Sequence, residues 1–207
     1  MSKRTIKITL LEEMLGTVPN NQDIYRDFIG SKAPDASTVD DEVAAIGVDA
    51  VAEKGRTVFP RDAEGRPFMY DYQWKGFFKD ACGMLSRVAG RDENGKKKPA
   101  VNESGKLKAY KKIIDGLIFV EERQIPIIFD GICGDCQRPL RAQTMQGERV
   151  TLASSETVPA GSTMTLSIIC LDPSHWAAVE EWLNYGQLRG LGQWRNSGKG
   201  KFIWEYV

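Results

Sequence analysis

The last twenty residues, LRGLGQWRNSGKGKFIWEYV (188–207), concentrate groups suited to holding a polyanion. Gly190, Gly192, Gly198 and Gly200 permit positive φ and let backbone amides approach phosphate closely. Arg189, Arg195, Lys199 and Lys201 can neutralise phosphates, and no acid intervenes before Glu205. Trp194 offers a face on which a base can stack. The alternative is a glycine-rich turn whose tryptophans plug the core, a role expected of Trp204.

Three further groups have chemical potential. Cys133 and Cys136 form a C-x-x-C in GICGDCQRP. A zinc site needs further ligands, and Cys82, Cys170 and His175 are the remaining soft donors. Cys82 and Cys170 fall on apolar faces. The pair thus reads as zinc ligands, as a redox couple, or as two unrelated thiols in a turn, and no cofactor is required. His175, the single histidine, is the natural acid–base candidate, although its place at a helix start also suits a capping or surface role. Arg138, Arg141 and Arg149 lace a polar stretch, 138–156, that reads as a long hairpin turning near Gln146 and Gly147. On its own pattern this is an arginine-laced surface hairpin.

These groups need a scaffold, and the patterning supplies one. TIKITLL (5–11) alternates Ile6, Ile8 and Leu10 with polar residues, as a half-buried strand does. A short helix is expected at QDIYRDFI, within an otherwise irregular 16–40, and 41–53 reads as helix or as a strand broken by Gly47. Residues 57–71 form two extended pieces around a turn at Asp62–Gly65. Between 73 and 89, Trp74, Phe77, Phe78, Ala81, Cys82, Leu85 and Val88 mark an amphipathic helix. The lysine-rich stretch 90–112 reads as an exposed insertion. Two short strands follow in 117–129, with Pro126 pointing to an edge. MTLSIICL (164–171) is a strand, 172–186 a helix stopped by Gly186, and KFIWEYV (201–207) a final strand. The order predicts an α+β fold, a ferredoxin-like (RRM-type) antiparallel sheet with helices on one face, plus a basic insertion and a long β-hairpin.

Composition bounds the function. With 28 basic and 28 acidic residues the net charge is zero, so nucleic-acid contact must come from local patches. No apolar run reaches the roughly eighteen residues of a membrane span. The first residues lack the apolar centre of a signal peptide. A cytoplasmic chain with reduced cysteines is expected.

Three separated segments resemble the RAMP superfamily, the RNA-holding subunits and processing nucleases of CRISPR systems. In VFPRDAEGRPFMYDYQWKGFFKDA (58–81), Asp62, Gly65, Pro67, Lys75 and Gly76 fall at family positions, and Lys79 stands for the usual arginine. VPAGSTMTLSI (158–168) is similar to the family's strand entry. GLGQWRNSGKGKF (190–202) is similar to its C-terminal glycine-rich loop. The resemblance implies a single domain over 1–207, with 90–157 as an insertion and hairpin region. It also implies RNA contact by Lys75, Gly76 and Lys79 at a loop–helix junction and by the tail, and contact of the 138–156 hairpin, through Arg138, Arg141 and Arg149, with RNA or a neighbouring subunit. Lys75 reads equally as an ordinary exposed helix lysine.

The family's small turn before the helix is replaced by Tyr70–Gln73. Arg56 stands where target-cleaving members place an aspartate, so that cleavage is not expected. The leading expectation is therefore a non-catalytic RNA-binding protein. It is either a CRISPR effector backbone-type subunit or a virus-borne relative that mimics or inhibits such a complex, with effector subunits or its own copies as further partners. The alternatives are a metal-independent endoribonuclease using His175 with nearby lysines, and a protein-interaction module without nucleic acid.

Overall fold

The computed structural model describes residues 1–20, 56–88, 93, 101–144 and 147–207, with the backbone alone for 140–144 and 147–151. The segments read as 22–29 and 41–53, most of 90–100, and the side chains of Arg141 and Arg149 lie outside the described residues.

The principal sheet has four antiparallel strands, β1 (Ser2–Leu10), β6 (Ile118–Val120), β10 (Thr163–Cys170) and β11 (Phe202–Tyr206), in the order β11-β1-β10-β6. Alternation fixes its faces. Ile6, Ile8 and Leu10 are at most 1% exposed and line up with Leu166, Met164 and Phe202. A one-residue slip would turn this whole set to solvent, so the register is strongly specified.

Two helices cover the inner face. Helix α1 (Asp71–Leu85) buries Trp74, Phe77, Phe78, Ala81 and Cys82, the stripe expected of a 3.6-residue period. Its first turn is closed by Gln73, whose Oε1 accepts the Tyr70 N–H at 2.8 Å. The short helix α2 (Glu103–Lys106) and α3 (Tyr110–Leu117) follow, and α2 with the first turn of α3 falls in 90–112, the expected exposed insertion. Ser104 explains part of that difference. It is buried, accepts the Trp182 indole N–H at 2.9 Å, and its backbone N–H donates to Glu181 at 2.8 Å, which ties α2 to the core. These partners are remote in sequence, so local composition did not reveal them.

Helix α4 (Trp176–Arg189) is preceded by a 3-10 turn at Pro173–His175, with Asp172 accepting the Ser174 N–H. It runs three residues beyond Gly186, the expected stop. A Cβ on Gly186 would lie 2.0 Å from the Phe202 ring, so this glycine makes a notch for Phe202 within the helix. The helix ends instead at Gly190, with φ of 75°. In the core, Phe202 meets Trp74 and Phe77 edge-on at 5.7 and 5.5 Å, and Phe78 packs on Trp182 at 5.6 Å. Each such ring contributes roughly 1.5–3 kcal/mol by leaving water.

A second sheet joins β2 (Met14–Leu15), β9 (Gly147–Val158), β4 (Thr57–Val58) and β3 (Val18–Pro19), while β8 (Gly134–Thr144) pairs with β9 as the expected long hairpin. Strands β5 (Phe68–Tyr70) and β7 (Gln124–Pro126) form a small ribbon ahead of α1. Among the described residues no helix is long and apolar enough to cross a membrane.

Cys82 and Cys170 lie in the core, and burial pushes both thiols from their ordinary 9.0 to about 11. In the folded state they stay neutral while unfolded thiols begin to ionise. Their stabilising effect is therefore complete below about pH 9 and is lost as pH rises towards 11. With a thiolate-reactive probe at pH 8, the native chain is expected to label at Cys133 and Cys136 alone. Cys82 and Cys170 should label after denaturation, with mass spectrometry locating the sites.

Candidate functional site

The glycine-rich segment forms a cinched loop between α4 and β11. Leu191 N–H donates to Gly200 O at 2.8 Å and closes its neck. Gly200 N–H then donates to Glu13 O at 2.8 Å, and Lys201 O accepts from Leu11 N–H at 2.7 Å. The glycines permit this closeness: a Cβ on Gly190 would sit 2.4 Å from Lys199 O. Leu191 is buried and anchors the loop from within. Farther out, Gln193 donates to Gly16 O at 2.9 Å, and its Oε1 accepts from Arg138 at 3.0 Å. The Arg138 guanidinium lies over the Trp194 ring, 5.4 Å from its centre. Trp194 itself holds φ of 54°, a left-handed conformation uncommon for a bulky residue, and is 38% exposed.

The loop lies against one face of α1. Gln73, Gly76 and Asp80 from the helix and Leu191, Gly192 and Arg195 from the loop line a groove of about 250 Å³. Gly76 and the tail glycines are thus brought together. Lys75 and Lys79 are not, because each lies one position before a groove residue and a turn of about 100° per residue carries it away from that face. Lys79 pairs with Asp115 at 2.6 Å, while Lys75 donates to Asp115 O at 3.2 Å and covers the Phe119 ring. The helix entrance carries an Asp71–Arg123 ion pair instead.

Charge compensation is uneven. Asp80 Oδ2 accepts from both Arg189 Nε at 3.0 Å and Arg195 at 2.7 Å, so one carboxylate serves two guanidinium groups and leaves one positive charge over. Lys199 pairs with Glu13, whose carboxylate raises the lysine's pKa. Arg138 and Lys201 form no ion pair among the described residues. The tail is therefore more compensated than its sequence implies. Its residual charge sits on the Arg189–Asp80–Arg195 triad and Lys201, and Arg138 of β8 adds to it beside Trp194. Asp80, Glu13 and Gln193 were not legible in the sequence, because partners 55 to 186 residues away leave no local pattern.

His175 lies at the opposite end of α4 from Arg189. Fourteen helical residues separate them, about 20 Å, so the tail cations cannot assist chemistry at its ring. The Cys133 sulfur accepts from Arg61 at 3.5 Å, and Arg61 also pairs with Glu156. Burial raises the Cys133 pKa, against the pull of Arg61. Cys136 sits in β8 opposite Ser155. Among the described residues no three His, Cys, Asp or Glu side chains gather as a metal site requires, so the zinc expectation finds no third ligand there.

No protein-family model matches the chain, and no curated protein matches it. Solved structures do. A chain of the type III-B Cmr-beta complex bound to cognate target RNA, solved by cryo-electron microscopy, is 11% identical with a TM-score of 0.50. The match covers 99% of this chain but 59% of that one, so this chain spans well under two thirds of its length. A chain of a type IV-B CRISPR complex is 12% identical with a TM-score of 0.47, covering 100% of this chain and 90% of that one. At 11% identity the likeness to the first is one of fold.

Proposed function

We propose that the protein is a non-catalytic RNA-binding protein built on a ferredoxin-like core, of the kind that holds RNA within CRISPR effector complexes. The sheet order β11-β1-β10-β6, with α1 before β6 and α4 before β11, supports the fold reading. The observation that carries the function is the groove between α1 and the tail loop, with under-compensated guanidinium groups at its wall and, on the same loop, a half-exposed Trp194 stacked on Arg138. Such a site offers cationic contact to a phosphate backbone and a ring face to a base.

The outer sheet face is a poorer candidate. There Lys3 pairs with Glu121, Lys7 with Glu205 at 3.6 Å, and the Thr5 and Ser167 hydroxyls bond at 3.1 Å. Its cations and hydroxyls are largely engaged within the chain.

The test is fluorescence anisotropy with labelled single-stranded RNA across a salt series. Affinity should rise as salt falls, in proportion to the phosphates neutralised. Asp80→Asn releases two arginines from their shared carboxylate, and it is expected to tighten binding and steepen the logarithmic salt slope by about one. RNA that fails to bind at low salt, or binds equally at all salt concentrations, overturns the proposal. Cleavage of the RNA in the presence of chelator, abolished by His175→Ala, would establish the endoribonuclease instead.

A further inference from the structure

Lys75 and Lys79 leave the groove for a surface of their own. With Tyr72 they recur at the i, i+3, i+7 spacing of one stripe along α1, turned by about 100° from the stripe that lines the groove. The chain returns along this stripe in the opposite direction. Tyr110, at the start of α3, packs at Gly83, where an added Cβ would stand 2.8 Å from the tyrosine hydroxyl oxygen. Asp115, near the end of α3, takes Lys79 at 2.6 Å, and its backbone carbonyl accepts from Lys75 at 3.2 Å. Phe119 of β6 lies under Lys75, with 4.4 Å from Nζ to the ring centre, and Arg123 closes on Asp71. The result is a seam between α1 and the α3–β6 segment, about 18 Å long from Asp71 to Gly83.

Cations outnumber acids along the seam. Lys75, Lys79, Lys111, Lys112 and Arg123 stand against two carboxylates, Asp71 and Asp115, which leaves three positive charges over. Lys111 and Lys112 lie four and three positions before Asp115, and so neighbour it on the helix surface. Both are exposed, and like Lys75 they form no ion pair among the described residues. Glu121 and Glu122 are engaged elsewhere: Glu121 pairs with Lys3, and Glu122 accepts the Ser167 N–H at 2.7 Å. Rings are set among the cations. Tyr72 is 46% exposed and backed by Tyr70, with the ring centres 5.2 Å apart and the planes 18° apart. The Arg123 guanidinium reaches both rings, at 5.3 and 5.6 Å, and Phe119 is also exposed.

We propose that this seam is a second binding surface for single-stranded nucleic acid, separate from the groove and independent of it. Lys75, Lys111 and Lys112 contact phosphates, and Tyr72 and Phe119 offer ring surfaces to bases. Rings interleaved with cations suit a polynucleotide, which has bases to stack as well as charge to neutralise. An acidic protein would use the charge alone. Stacking and phosphate contact carry no base code, so the seam takes single strands with little regard to sequence.

Anisotropy titrations of the full chain with matched RNA and DNA oligomers of about eight nucleotides, over a salt series, test this. The measurements are made in the Trp194→Gly background, which removes the ring beside the groove, so that binding at the seam is read. There Lys111→Ala/Lys112→Ala is expected to flatten the logarithmic salt slope by about 1.4, the loss of two single-strand phosphate contacts. Tyr72→Ala should weaken binding about ten-fold. All three positions are exposed, and circular dichroism confirms that the variants fold. Oligomers carrying thiouridine are expected to crosslink to Tyr72 or Phe119 under ultraviolet light, with mass spectrometry locating the sites. An unchanged slope in the lysine variant, an unchanged affinity in Tyr72→Ala, or crosslinks confined to the tail loop overturns the proposal. The groove is judged separately, by the effect of Trp194→Gly in a chain that already carries the three seam changes, so either surface can fail while the other stands. The tighter of the RNA and DNA titrations names the polynucleotide.

Discussion

Gly200→Ala is expected to lower the thermal unfolding midpoint by about 10 °C, the largest stability effect of any single methyl group in the tail. A Cβ there would stand 2.0 Å from Leu191 O and 2.9 Å from Leu191 N and C. All three are backbone atoms at the loop's neck, so no side-chain rotation relieves the clash. The residue also holds φ of 71°, which costs an L-amino acid about 1–2 kcal/mol. With overpacking of roughly 1–3 kcal/mol added, the sum is about 3 kcal/mol. Gly65→Ala provides the control. Gly65 has φ of 78° but nothing within 4 Å of the added methyl, so it should lose the conformational part alone. Calorimetry on both variants separates the two causes. Equal midpoints would show that the neck is not held as tightly as its hydrogen bonds imply.

Trp194→Gly is expected to weaken binding of single-stranded RNA by about ten- to a hundred-fold while leaving the fold intact. Stacking of one base on an aromatic ring contributes about 1–3 kcal/mol. The ring is 38% exposed and backed by Arg138, so its removal opens no cavity in the core. Glycine also suits φ of 54° better than tryptophan does, and the midpoint should hold or rise. A loss of affinity without a loss of stability would mark the ring as a contact rather than a prop. Arg138→Ala should act in the same direction and less than additively with Trp194→Gly, because each supports the other. Anisotropy titrations decide the matter, and unchanged affinity in Trp194→Gly would remove the ring from the site.

Much of the scaffold was readable from side-chain periodicity. Ile6, Ile8 and Leu10 announce β1, the Trp74–Cys82 stripe announces α1, and the polar stretch 138–156 with its turn near Gln146 and Gly147 announces the hairpin. Local signals failed where a residue answers to a distant partner. Gly186 reads as a terminator but yields room to Phe202, and α2 forms because Ser104 finds Trp182 and Glu181. The site shows the same division. Tail glycines and cations were legible as a class, whereas the sharing of Asp80 by Arg189 and Arg195 arises only when α1 and the tail meet. Lys75 and Lys79 point away from the groove because a helix turns 100° per residue, and proximity in sequence says nothing of direction.

The Leu191–Gly200 bond closes the intervening residues into a ring, which Gln193 on Gly16 O, Arg195 on Asp80 and Lys199 on Glu13 also tie to the rest of the protein. Phe202, seated in the Gly186 notch, locks the strand that follows, so helix and strand keep their places whatever the ring contains. A module of this form is exchangeable. Its outermost residues can be lengthened, shortened or rewritten for another nucleic acid at little expense to folding, provided the clasp and these three ties are spared.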